Sequence, residues 1–297
     1  MKSGFIIINK DSGMTSHSAV AKVKRLLGAK KAGHTGTLDP LASGVLPILI
    51  ERGVKASEYM ISESKKYRAV MLFGISTDTE DITGTVIETN EYYPGESEVI
   101  RAAGSFVGEY MQTPPMYSAI KMDGKKLYEL AREGKTVERE ARRVIIHSID
   151  VKRLSEREYE LSVSCSGGTY IRTLITDIAK SISAIATMKS LHRTFAAGFS
   201  EEESVSISDI ENLPKAEREN LVKNTEEIFC GFSSVTLPSF FARLAKNGLE
   251  IYLNKLNISL EVGTRVKLYD ENGFFALGEV REFSAGLAIK PIKQFDV

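Results

Sequence analysis

Residues 33–47 read Gly33-His34-Thr35-Gly36-Thr37-Leu38-Asp39-Pro40-Leu41-Ala42-Ser43-Gly44-Val45-Leu46-Pro47. One carboxylate, one imidazole, three glycines and three hydroxyls fall together, and an apolar segment, residues 45–50, follows. Glycines admit close approaches and backbone angles that a Cβ would block. Asp39 precedes a proline, which biases it toward extended or turn geometry and away from helix. Leu38, Leu41, Val45 and Leu46 can anchor such a loop on a core and leave Asp39 and His34 facing outward. A carboxylate presented this way can serve as nucleophile or base. The same residues also suit a plain turn in which Asp39 bonds its own backbone.

Other candidates are spread along the chain. Tyr67 sits in an apolar run over 66–74, where a half-buried aromatic is the simple alternative. In 112–134, Lys121, Lys125, Lys126 and Arg132 interleave with Tyr117 and Tyr128, as gripping a folded RNA loop would require; a solvated helix-turn unit is the alternative. Tyr170 and Arg172 follow the pair Gly167-Gly168, where a helix begins. An arginine facing a carboxylate would fix its direction, although an arginine in a first helical turn is usually solvated. Asp78 and Asp81 lie among threonines and a glycine, which fits a turn better than a metal site. Cys165 and Cys230 form neither ligand spacing nor a disulfide framework.

The positioning elements follow from periodicity. Residues 5–8 read as a short buried strand, and 9–16 as a polar turn whose Ser16 can cap a helix over 17–27 that ends at Gly28. Val20, Val23 and Leu27 mark its inner face, with Lys22 and Arg25 opposite; His17, near its start, is given no role. Residues 45–50 form a strand in which Pro47 calls for an edge or a bulge. A short helix over 55–61, an amphipathic helix over 97–106 and a hairpin of strands 143–152 and 159–165 come next. Thr169 is placed to cap a helix that carries Ile171, Leu174, Ile175 and Ile178 inward, and 188–199 reads as a strand containing Leu191. Residues 204–235 are polar and helical in pattern, and 236–297 alternate as short strands with turns at 261–263, 271–273 and 284–286.

At 297 residues, two domains are expected. The 42% hydrophobic and 26% charged content is ordinary for a folded protein, and the apolar 5–8 run is too short for a signal or a span, so the cytoplasm is the expected location. Basic and acidic residues balance at 39 each, which counts against a nonspecific nucleic-acid binder but leaves room for a local basic patch. Lys22, Lys24, Arg25, Lys30 and Lys31, just ahead of the Asp39 loop, make one such group.

The motif at 33–47 resembles the catalytic loop of the bacterial tRNA pseudouridine synthase B (TruB) family. Residues 66–74, 112–134, 165–174 and 188–199 resemble the same family in the same order. The resemblance implies an α+β fold: a mixed, mainly antiparallel central sheet with flanking helices, followed by a small, mostly β unit. It implies a catalytic domain over 1–235, with an RNA-gripping insertion at about 110–142. The sequences 245–248 and 287–291 resemble a PUA RNA-binding domain, placed at 236–297. Asp39 is then the essential residue, supported by Tyr67, Arg172, Tyr170, Leu191 and Lys10, with His34, Lys121, Lys125, Lys126 and Tyr128 on the RNA. Departures are small: Asp11 stands where the family commonly has proline, and 181–187 lacks its glycine-rich approach. The implied reaction moves the ribose of uridine from N1 to C5 without net redox change, so no cofactor or metal is called for. The expected substrate is the T-arm of tRNA, with no guide RNA, membrane or obligate protein partner. An RNA-folding protein in which catalysis is secondary, and a guide-dependent relative, are the competing readings.

Overall fold

Both faces of the central strands are apolar, and that decides the layering. The computed structural model describes residues 2–60, 64–122 and 124–295. In the strand Gly4–Lys10, Ile6 and Ile8 point into the main core while Phe5 and Ile7 enter a second cluster on the other face. The strand Ser43–Ile50 divides in the same way, with Leu46, Ile48 and Ile50 on one side and Val45 and Leu49 on the other. Alternation along a strand requires this, and burial on both faces turns the pattern into the unbroken apolar runs of the sequence.

The sheet runs in the order Val205–Ser206, Gly4–Lys10, Ser43–Ile50, Ala186–Ala196, Lys65–Phe73, Glu158–Cys165, Arg142–Arg153, Gly108–Gln112. Most neighbours are antiparallel, as expected; the pairs 4–10 with 205–206 and 43–50 with 186–196 are parallel. The helices Ser16–Leu27, Glu96–Gly104 and Ile171–Ser181 carry Val20, Val23, Val99, Leu174 and Ile178 into the main core. Each such aliphatic side chain contributes about 1.5–3 kcal/mol relative to leaving it exposed.

Several local expectations are corrected. Thr15, not Ser16, caps the first helix, accepting from the Ser18 amide at 3.0 Å. Ser16 Oγ is occupied elsewhere: it donates to the Leu38 carbonyl at 2.9 Å and accepts from the Leu38 amide at 2.8 Å, tying the helix to the Asp39 loop. Thr169 does not cap the helix at 171; its hydroxyl donates to the Ser166 carbonyl at 3.0 Å. Pro47 lies in an interior strand, neither at an edge nor at a bulge. Its carbonyl accepts from the Thr35 amide, so its nitrogen faces the same side, in the gap between the ladders to 32–34 and to 186–196. No donor is needed there.

The stretch 51–60 is a 3₁₀ turn, Glu51–Ala56, and one α turn, Ser57–Met60; Ile61, the expected helix end, lies outside the described residues. Residues 204–235 are only partly helical, because 205–206 and 223–224 are recruited to pair with 4–10. Asp81 takes hydrogen bonds from Thr79 Oγ1 and from the amide and hydroxyl of Thr83, and Asp78 accepts from the Thr85 amide, which closes the 77–85 turn.

A second sheet of five strands runs Ser233–Thr236, Arg265–Asp270, Gly273–Phe283, Gly286–Gln294, Ile251–Tyr252 around its own core of Leu268, Phe275, Val280 and Ile289, with the helix Ser239–Lys246 against it. Phe229, Leu277, Phe295 and Ala56 form an apolar contact between the two sheets.

Gly44 sits where the parallel pair begins. It has φ +103°, and a Cβ there would stand 2.2 Å from the Arg193 carbonyl oxygen. Gly44→Ala is therefore expected to cost at least about 2 kcal/mol, combining backbone strain with parted strands. Melting by circular dichroism checks this, and an unchanged midpoint would contradict the contact.

Candidate active site

Arg172 shapes the site. The helix Ile171–Ser181 is set by its apolar face, and this buries its first-turn arginine to 3% exposure. Its Nε lies 2.9 Å from Oδ2 of Asp39, whose side chain keeps 33% exposure. Its other two nitrogens donate to the carbonyls of Thr79 at 2.7 Å and Tyr117 at 2.9 Å. One guanidinium thus fastens the Asp39 loop, the 77–85 turn and the 112–121 segment at once. A buried charge needs this many partners, and the planar fork supplies directions that an ammonium cannot.

The loop bearing Asp39 is held as its sequence suggests. Leu38, Val45 and Leu46 are buried, and Leu41 packs partly against the core. The structure adds an anchor that sequence reasoning missed. Arg193, 1% exposed, donates from Nε to the Val45 carbonyl at 2.8 Å and from Nη2 to the Gly36 carbonyl at 3.2 Å, gripping the loop on both sides of Asp39. It also lies beside the Tyr67 phenol, its partner directly opposite across the sheet. The one available signal was parity: Arg193 is two residues from the inward Leu191, so the strand turns it inward.

Tyr67 is buried, and burial pushes its phenol up against the opposing pull of Arg193. Leu191 is buried two residues from Arg193, opposite Ala69, so the ladder puts it on the face that bears Tyr67. Gln112 clamps Tyr170: its side chain accepts from the Tyr170 amide at 2.8 Å and donates to the Tyr170 carbonyl at 3.0 Å. Burial also raises the Tyr170 phenol. A cavity of about 180 Å³ lined by Gln112, Pro114, Arg142, Gly167 and Tyr170 touches this side of the site without reaching Asp39.

Lys10 is fully enclosed and donates to the carbonyls of Asp11 at 2.8 Å and Met14 at 2.7 Å. Burial lowers its ammonium to about 8, while Asp11 and Asp39 oppose the shift. His34 is half-buried; its Nδ1 has no hydrogen-bond partner among the described residues, and burial with Arg193 nearby lowers its pKa. His192, read as an ordinary strand residue, bridges Ser43 Oγ at 2.9 Å and Glu201 at 2.6 Å, so it braces the far end of the loop.

The basic segment is a small hairpin of Lys121–Met122 and Lys125–Lys126 that leads into the helix Leu127–Arg132. Lys126 and Arg132 lie 5.4 and 5.5 Å from the Tyr128 ring, and Lys125 pairs with Glu133 at 3.1 Å. The structure does not bring Lys121, Lys125, Lys126 or Tyr128 to Asp39 itself; the link runs through Tyr117 and Arg172.

A family model described as TruB family pseudouridylate synthase (N terminal domain) matches residues 24–171. A protein named tRNA pseudouridine synthase B from Alkaliphilus oremlandii (strain OhILAs) is 41% identical over 281 residues, 94% of this chain and 93% of that one. The chain belongs to the TruB family of pseudouridylate synthases. Another relative of the same name, from Clostridium perfringens (strain 13 / Type A), is 39% identical over 92% of this chain and 93% of its own. Among solved structures, the TruB-family fold is shared with a chain of a Cbf5-Nop10-Gar1 complex, with TM-score 0.70, 24% identity, and 98% of this chain and 84% of that chain covered. A chain of an H/ACA RNP bound to a substrate RNA containing 2′-deoxyuridine gives TM-score 0.70 at 23% identity. Among the described residues of this TruB-family chain, no helix is long and apolar enough to cross a membrane.

Arg172→Lys is expected to slow turnover at least tenfold and to lower the melting temperature by less than Arg172→Ala does, because charge is kept while the directed bonds to Thr79 and Tyr117 are lost. An unchanged rate would separate Arg172 from the chemistry. For Lys10, a folded pKa of about 8 against 10.5 means that the unfolded chain binds more protons between those values. Stability from this group therefore rises with pH across that window. The difference in melting temperature, Lys10→Met minus wild type, should fall by a few degrees from pH 8 to 10.5; a constant difference would mean that Lys10 is not desolvated.

Proposed function

We propose that the chain isomerises uridine to pseudouridine at position 55, in the T-loop of tRNA, as a stand-alone enzyme with Asp39 as its catalytic residue. The observation that carries this is the Asp39–Arg172 pair, in which a partly exposed carboxylate is aimed by a buried guanidinium. The names of the relatives at about 40% identity support tRNA as the substrate.

In the reaction the N1–C1′ bond breaks, the uracil turns, and a C5–C1′ bond forms; C5 loses its proton and N1 gains one. Asp39 serves as nucleophile toward the sugar or toward pyrimidine C6, or as base on the sugar. Each route needs the uridine out of its stack, at a cost of a few kcal/mol. Tyr67 lies against the flipped base, Tyr170 and Leu191 wall the pocket, and Lys10 helps to place the nucleotide. His34 fills the space the base leaves, an uncharged ring being suited to stacking. The hairpin with Lys121, Lys125, Lys126 and Tyr128 grips the RNA outside the pocket, and residues 236–297 act as a second, PUA-like RNA-binding unit. Because the chain carries its own basic hairpin, no guide RNA is needed.

Purified protein incubated with unmodified tRNA and nothing else should yield pseudouridine at the T-loop position, as read by chemical mapping. Asp39→Asn should abolish product and keep RNA affinity within about tenfold, or 1.4 kcal/mol, since shape is retained. Substantial product from that variant, or none from the wild type, would overturn the assignment.

A further inference from the structure

Four cations surround the Asp39 loop, and three of them are committed. Arg172 is spent on Asp39 and two carbonyls, Arg193 on the carbonyls of Gly36 and Val45, and Lys10 on the carbonyls of Asp11 and Met14. The fourth is Lys65, at the start of the strand Lys65–Phe73 and two residues from Tyr67 on the same strand face. Its ammonium has no hydrogen-bond or ion-pair partner among the described residues. Burial and the nearby Arg193 both work against its charge, lowering its pKa. The side chain paired opposite it is Cys165, whose thiol burial pushes up to about 11, so it is uncharged at neutral pH and provides no counterion. Asp39, the carboxylate of the loop, is already committed to Arg172.

The space in front of Lys65 is also defined. Gly36 has φ +112°, and the Cβ it lacks would stand 3.8 Å from Lys65 Nζ and 3.7 Å from Nη1 of Arg193. The side of Gly36 where a Cβ would stand is therefore bordered by two cations. A half-buried ammonium without a partner among the described residues, at the rim of the Asp39 loop, has room for an anion from outside.

We propose that Lys65 receives a backbone phosphate flanking the target uridine, seating it over Gly36 beside Arg193. This rests on the isomerase reading given above. The phosphate is then a pivot: with its backbone charge held at the loop, the nucleotide can rotate its base toward Tyr67 without the strand drifting away. The role differs from that of the Lys121–Lys126 hairpin, which would hold the RNA at a distance from Asp39.

The test crosses a substitution with a neutral linkage. Lys65→Met keeps the stem and removes a half-buried charge that has no partner among the described residues, so its melting temperature should equal or exceed that of the wild type. Three T-arm stem-loops are compared: one with all phosphates, and two with a single methylphosphonate, 5′ or 3′ of the target uridine. On the all-phosphate RNA, Lys65→Met should weaken binding about tenfold or more and flatten the slope of log affinity against log salt by about 0.7. One methylphosphonate should weaken the wild type by a similar factor and leave Lys65→Met unaffected. Equal weakening of Lys65→Met on all three RNAs would show that Lys65 acts through protein structure, and no weakening would show that it meets no phosphate; either overturns the proposal. Turnover of the all-phosphate stem-loop by the wild type is the control. If it fails, the isomerase reading fails; if it succeeds while the linkage effect is absent, only the Lys65 assignment falls.

Discussion

The site depends on one buried guanidinium having three acceptors in three different segments. Arg172 cannot be enclosed without them, and none of the three can shift without uncovering a charge. Removing one partner of such a buried pair typically costs about 3–5 kcal/mol. The loop, the 77–85 turn and the 112–121 segment are therefore coupled in position. This matters because the last of these leads into the basic hairpin. A displacement of that hairpin can reach Asp39 through the Tyr117 carbonyl and Arg172, a path of two contacts. Each contact is geometric, so the coupling is one of direction and does not require the hairpin lysines to approach the carboxylate.

A second guanidinium performs the corresponding task from below. Arg193 joins Gly36 and Val45, and its backbone pairs with Gly44 and Tyr67. The parallel junction between Ser43–Ile50 and Ala186–Ala196 is short, and the side chain extends it where ladder hydrogen bonds stop. Ser16 repeats the device on the helix side by clamping both polar groups of Leu38. The Asp39 loop, which has little regular structure of its own, is thereby held by side chains from two elements distant in sequence.

What could be read beforehand follows from these contacts. The strands with unbroken apolar runs and the helix ended at Gly28 were legible, because local alternation and a left-handed cap leave direct marks on the sequence, while the fold class came through the family resemblance. Ser16 was read as the cap where Thr15 serves, because both hydroxyls suit a cap and only the distant Leu38 decides between them. Pro47 misled for the same reason: whether a missing amide matters depends on which neighbour lies beside it. In 204–235, tertiary pairing with Gly4–Lys10 overrode a helical pattern. Arg193 was invisible as a functional residue, since parity says that it turns inward but not that two loop carbonyls await it. The matched motifs pointed to Asp39 and Arg172; the braces that hold them are scattered and carry no motif.

The zero net charge also finds its place. Screening at physiological salt confines exposed charges to about 8 Å, so a balanced surface offers an approaching RNA little long-range attraction. Arg172 and Lys10 act on the Asp39 carboxylate, and Arg193 and Lys65 border Gly36 of the same loop, in partly buried surroundings where Coulomb interactions are stronger than in water. Burial works against the charge on Lys10 and Lys65, and at Lys10 the carboxylates of Asp11 and Asp39 partly offset it. Under the proposed phosphate contact, attraction sets in only once RNA has reached the loop. An RNA that merely collides with the surface gains little; one whose backbone can enter beside Gly36 gains much, and discrimination by shape follows from charge placed at depth.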